Sequence, residues 1–138
     1  MAELTAARHL AETVFPGQSI GTYGTNLFDN KEPATKHATL PTIVVYDTPG
    51  QEPTLSSTKN IYNDAVTIRV VGVPGDSGQS AAQQKIQDII DFMIASLTAV
   101  VAATTYIGSK QFGGGPFPVY DENNRAAWTV SFMLARSF

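Results

Sequence analysis

The strongest constraint on this chain lies near its C-terminus. Trp128, Val130, Phe132 and Leu134 are large and apolar, and Ala127, Thr129, Ser131 and Ala135 between them are small or polar. Successive side chains of a strand point to opposite faces, so this period of two predicts a strand with one strongly apolar face. Such a face has to be covered, and the chain carries a cover. Ile86, Ile89, Ile90, Met93, Ile94, Leu97 and Val101 recur at helical spacing over about four turns, with Lys85, Asp88 and Asp91 toward the other side. A helix laid on a sheet buries both apolar surfaces at once.

The remaining segments fit around that pair. Leu4, Ala7, Leu10, Ala11 and Val14 predict a helix over 2–15, stopped by Pro16-Gly17. Ser19 to Phe28 reads as a Gly- and Thr-rich strand, and Asp29 to Pro41 as a long loop. Ile43-Val44-Val45-Tyr46 is a short strand of β-branched and aromatic residues. It leads into the turn chemistry of Thr48-Pro49-Gly50-Gln51-Glu52-Pro53 and a Ser/Thr loop to Asn60. From Ala65 to Val73, Val66, Ile68 and Val70 alternate with Thr67 and Arg69, which predicts another strand. Pro74-Gly75-Asp76 breaks it, and Ser80 followed by Gln83 has the spacing of a capping box for the long helix. Residues 104–112 read as a strand, Gly113 to Pro118 as a loop, and Asp121-Glu122 as part of the connection into the closing strand. The expected fold is a single α+β domain over 1–138. Its sheet is mostly antiparallel, the order is α-β-β-β-α-β-β, and both helices pack on one face.

Composition narrows the function. The 138 residues carry 9 Lys+Arg against 12 Asp+Glu, a formal net charge of −3, which argues against a basic DNA-coating protein. With no cysteine there is no disulfide scaffold, thiol nucleophile or thiolate metal site. The first residues lack the pattern of a signal peptide, and the apolar stretch 89–103 is short and contains Asp91, so a soluble intracellular domain is expected. Charged residues are only 15% of the chain, against about 25% in typical soluble domains, which suits a protein that buries surface against other subunits.

Motifs with chemical meaning are sparse. Gly75-Asp76-Ser77-Gly78 resembles the surroundings of the nucleophilic serine in chymotrypsin-like proteases, with His37 and Asp47 or Asp64 in the right order to complete a triad. The chain is too short for that family's paired barrels, and the serine precedes a helix, so a loop-and-cap role is favoured. Gly72 to Ser80 lacks the Lys-Ser/Thr pair of a phosphate loop, and Pro74 removes a backbone donor. His9 and His37, the two histidines, have no ligand spacing, and Asp88 with Asp91 lacks further ligands for a metal. No catalytic, cofactor or metal residue is assigned. Tyr46, Tyr62, Tyr106 and Tyr120 are scattered and do not form a base-stacking platform.

Taken together, the strand Ile43–Tyr46 running into Thr48–Pro53, the strand 65–73, the helix from Ser80 and the closing strand 127–136 resemble the tail-terminator proteins of long-tailed bacteriophages, also described as tail-completion or minor capsid proteins. The resemblance covers most of the chain. It implies a structural protein of the virion, assembled in the host bacterial cytoplasm, that closes as a homohexameric ring. Such a ring caps the tail tube, ends its polymerisation and joins it to the head connector of the neck. Its partners are other copies of itself, the tail-tube protein and the connector, with DNA passing through the lumen unbound and no membrane involved. A net-acidic ring suits that passage, because phosphate contacts drive non-specific DNA binding. Ring closure needs a heterologous interface. Its expected contact arms are the loops 29–41, 47–60 and 113–124, with Thr48, Pro49, Gly50, Gln51, Glu52, Gly113, Gly114, Gly115, Phe117, Asp121 and Glu122 as candidate interface residues. Two alternatives stay open: another neck component, such as a head-completion or connector protein, and a small serine hydrolase using Ser77.

Overall fold

The alternating C-terminal segment is a strand, and the sheet is built on it. The computed structural model describes residues 8, 10–31, 33, 39–48, 54–55, 60–74, 76–96, 108–120 and 126–137. Its strands are β1 (Leu27–Asp29), β2 (Thr42–Thr48), β3 (Thr54–Leu55), β4 (Asn60–Val71), β5 (Gly108–Tyr120) and β6 (Ala126–Ser137). They form one sheet in the order β1-β2-β4-β6-β5, with β3 beside the start of β4. Only β1 and β2 run parallel; every other described pair is antiparallel. The fold is α+β, and the order of helices and strands is the expected one with β3 added.

One face of the sheet carries the core. Val66, Ile68 and Val70 of β4 stand opposite Phe132, Val130 and Trp128 of β6, and Ile43 and Val45 of β2 extend the same face. The long helix Asp76–Asp91 crosses β4 and β6, burying Ile86, Ile89 and Ile90 there. The N-terminal helical segment lies over β1 and β2 with Leu10, Val14 and Phe15 buried. Trp128 is half-buried and packs against this cluster, on the predicted face. The opposite face is mixed. Val44 and Val71 are buried there among half-buried Tyr46, Thr67, Arg69, Thr129 and Ser131, and the Thr67 and Ser131 hydroxyls bond across the strands at 3.0 Å.

Several boundaries differ from expectation, each for a local reason. The predicted strand over 19–28 shrinks to Leu27–Asp29, because Ser19 and Gly24 take positive φ and turn the chain. The N-terminal helix continues past Pro16: a π-helical turn, Leu10–Val14, leads into Phe15–Gly17. There Ile20 N–H donates to the Phe15 carbonyl at 3.1 Å and Ser19 N–H to that of Pro16 at 3.2 Å. With Ser19 at φ 60 this is a Schellman stop, whose left-handed residue is a serine and not the nearby Gly17. The capping box at Ser80 is not used, since the long helix already begins at Asp76. At the other end, Phe92–Ser96 is π-helical, and its wider turn ends the 3.6 spacing. Ile94, expected in the core, is 58% exposed, and Phe92 is buried in its place. The Phe92 ring meets Phe15 edge-on, with centroids 6.1 Å apart. Leu97 and Val101 lie outside the described residues.

β4 starts at Asn60, five residues before the expected Ala65, and within the expected Ser/Thr loop Thr54–Leu55 pairs with Ile61 and Asn60. The largest correction is at 113–118. Gly113-Gly114-Gly115-Pro116 does not end a strand; it interrupts one. Phe112 is registered with Ser131 and Phe117 with Thr129, so four residues of β5 bulge opposite Val130 alone. The run reads as a loop because glycine and proline signal turns, yet pairing resumes on its far side.

Candidate functional site

The expected contact residues divide into two groups. Thr48 is the last residue of β2, and Gly113, Gly114, Gly115 and Phe117 lie on β5 at the rim of the sheet. Pro49, Gly50, Gln51, Glu52, Asp121 and Glu122 lie outside the described residues, as do His9, His37 and Gly75. Ser77 sits in the first turn of the long helix and Asp64 on β4. Asp47, at the end of β2, is engaged locally: its carboxylate accepts a bond from the Asn30 amide and its N–H donates to the Asn30 side-chain oxygen, both at 2.8 Å.

Gly78, the last residue of the serine motif, and Gly72 ahead of the motif have a packing explanation. A Cβ on Gly78 would lie 2.0 Å from the Val73 carbonyl oxygen, and one on Gly72 would lie 2.5 Å from that of Gly78. The first turn of the helix thus rests directly on the end of β4, where only glycine fits. Gly78 is required by that crossing, without any nucleophile.

Backbone direction defines the sheet's rim. In an antiparallel ladder the N–H and C=O of successive residues alternate between the two neighbouring strands. The Gly72 N–H donates to the Ala126 carbonyl at 2.8 Å, so Ala126 faces β4 and Ala127 faces β5. The β4–β6 register is unbroken from there to Ser137, so odd-numbered residues of β6 address β5 throughout. Carried across the β5–β6 register, this makes Gly108, Lys110, Phe112, Phe117 and Val119 face the ladder, and Ser109, Gln111, Pro118 and Tyr120 face outward. Pro118, which has no N–H, stands where none is needed. At the other rim the preceding turn caps Leu27 of β1, whose carbonyl accepts from Gly24 N–H at 2.9 Å and which bridges to Tyr23. The side chain of Asn26 holds that turn, accepting from Thr22 N–H at 2.9 Å and donating to the Pro41 carbonyl at 3.1 Å.

Charged side chains at the surface pair locally. Arg8 bridges Glu12 at 2.8 Å, and the Tyr23 hydroxyl donates to Asp29, which holds the phenol above its ordinary value. Gln84 and Gln87 donate to Asp88 and Asp91 along the helix, so the two acids are held as a solvated face. An open cleft of about 390 Å³ lies between the Ser19–Thr22 turn, Leu40-Pro41 and Lys85, and among the described residues Lys85 is its only charged lining group. Among the described residues no group of His, Asp and Glu is placed to hold a metal, and no helix is long and apolar enough to cross a membrane.

Sequence reasoning missed the rim residues Ser109, Gln111 and Pro118. Their signal was there: two prolines inside a run ending Phe117-Pro118-Val119-Tyr120 mark an edge strand as well as a loop. No protein-family model matches the chain, and no curated protein matches it.

Proposed function

We propose that this chain is a structural assembly protein of the phage tail-terminator type. It closes as a homohexameric ring on the end of the tail tube, stops tube growth and receives the head connector, in the neck of the virion. The observation that carries the reading is the order of elements, helix, three strands with the short β3 added among them, long helix and closing strand pair, with both helices on one face of a mostly antiparallel sheet. That order is what the sequence resemblance implies. Sparse charge and two different strands, β1 and β5, at the ends of the sheet support it, because a ring subunit must offer different surfaces to its two neighbours. Against the hydrolase alternative, Gly78 of its motif has a packing reason, the close approach to the Val73 carbonyl.

The test is tube capping. Tail-tube subunits polymerised with increasing amounts of the purified chain should give tubes of decreasing mean length, each ending in a ring by electron microscopy. Tubes of unchanged length, with no density at their ends, contradict the proposal.

A further inference from the structure

We propose that the cleft between the Ser19–Thr22 turn, Leu40-Pro41 and Lys85 binds a small carboxylate with an apolar body. The inference goes beyond the ring reading and does not rest on it. At about 390 Å³ the cleft is near the small end of the roughly 300–1,000 Å³ usual for ligand pockets. Its walls are fixed without a ligand. Asn26, only 5% exposed, ties one wall to the other: its side-chain oxygen accepts from Thr22 N–H at 2.9 Å, and its amide donates to the Pro41 carbonyl at 3.1 Å. A Cβ on Gly21 would press on Leu27 Cβ at 3.2 Å and on the Asn26 oxygen at 3.4 Å, so the turn lies tight against β1. Ser19 holds the turn's left-handed start. A site set in advance spares a ligand the cost of ordering it.

The lining offers donors and, among the described residues, no acid to use them. The Asn26 amide has two N–H groups, and the bond to Pro41 takes one. Lys85 has no ion-pair or hydrogen-bond partner among the described residues. Asp88, three residues along the helix and near enough for such a pair, is bonded instead by Gln84 at 2.8 Å. Ser19 and Thr22 add hydroxyls. One cation among neutral donors matches one negative charge, and the two oxygens of a carboxylate can accept from ammonium and amide together. A phosphate dianion would find only half its charge met. Beside these donors, Ile20, Leu40 and the two prolines supply apolar surface, and Leu40 is 47% exposed. An acid carrying a hydrocarbon body buries area there that acetate cannot.

The experiment is a titration of the full chain followed by amide resonances, with benzoate as the probe. The Asn26 side-chain amide and the backbone amides of Gly21 and Thr22 should shift together and saturate. Benzamide, which has the body without the charge, and acetate, which has the charge without the body, should each bind more weakly. Lys85→Gln and, independently, Lys85→Met leave the helix its spacing and remove the ammonium. Either should keep the native spectrum and lose at least about tenfold in benzoate affinity, the scale of one charge-assisted hydrogen bond. N-acetyl-leucine presents the same carboxylate as a chain terminus would. Saturable binding of either acid that depends on Lys85 upholds the site, and the tighter of the two names the source, free acid or chain end. No saturation with either, shifts centred away from Gly21, Thr22 and Asn26, or unchanged affinity in both Lys85 variants overturns the proposal. Benzamide binding as tightly as benzoate, or inorganic phosphate binding more tightly, overturns the assignment to a carboxylate.

Discussion

Single residues explain where the helices start and stop. Ser19 holds a left-handed conformation at the end of the N-terminal helix, at a cost of roughly 1–2 kcal/mol for a side chain with a Cβ. Ser19→Gly should raise stability by up to ~1 kcal/mol, because the strain relieved exceeds the roughly 0.4–1 kcal/mol of unfolded-state entropy that glycine adds. Urea denaturation reads the difference, and a loss of stability would contradict the Schellman assignment. Gly78→Ala should cost about 2–3 kcal/mol or more, since its Cβ would enter the Val73 carbonyl. Ser77→Ala, one residue away, should leave assembly unchanged, and an esterase or peptidase activity abolished by it would revive the hydrolase. Tyr23 makes a pH prediction. Its hydroxyl bond to Asp29 stabilises the neutral phenol in the fold and raises the folded pKa above the unfolded value. The stabilisation is therefore fully present below about pH 10 and is lost as pH rises through the folded pKa. Denaturation curves of wild type and Tyr23→Phe should differ at neutral pH and converge in strong alkali; a constant difference removes the bond from the account.

At the scale of elements, the two amphipathic patterns carry the fold. Phe132 is fully buried between sheet and helices, so Phe132→Ala should cost about 3–5 kcal/mol. Trp128 lies on the same face and is half-buried, so Trp128→Ala should cost less, about 2–3 kcal/mol. A larger loss at Trp128 would move the centre of the core toward that end of the strand. These features were legible because a period of two or of 3.6 directly reports which face is covered. Ile86, Ile89 and Ile90 are buried as their spacing demands. Legibility ended where backbone geometry overrides pattern. A π-helical turn exchanges Ile94 for Phe92, a serine does the work expected of glycine, and a glycine run that signals a loop is a bulge within β5. The rim of the sheet was hidden for the same reason, since which N–H points outward depends on register across three strands. The start of β4 was hidden by Asn60, Asn63 and Asp64, residue types depleted in strands; here Asn60 pairs with Leu55 of β3, and Asn63 and Asp64 lie on the ladder beside Ala135 and Leu134 of β6.

For the whole molecule, the proposal is a ring subunit whose sheet ends in β1 at one rim and in β5 at the other. Such a chain has two different surfaces to join, and copies joined that way close into a ring only at one rotation. Capping requires recognition of a tube end, so the closed ring is expected at high concentration or on tube ends and not in the dilute free chain. The most direct test is therefore the molar mass by light scattering of the purified chain at rising concentration, with and without tail-tube subunits. The account predicts a folded monomer that passes to a discrete species of six chains, at high concentration or on tube ends. A dimer that persists at every concentration, with or without tube protein, would contradict it.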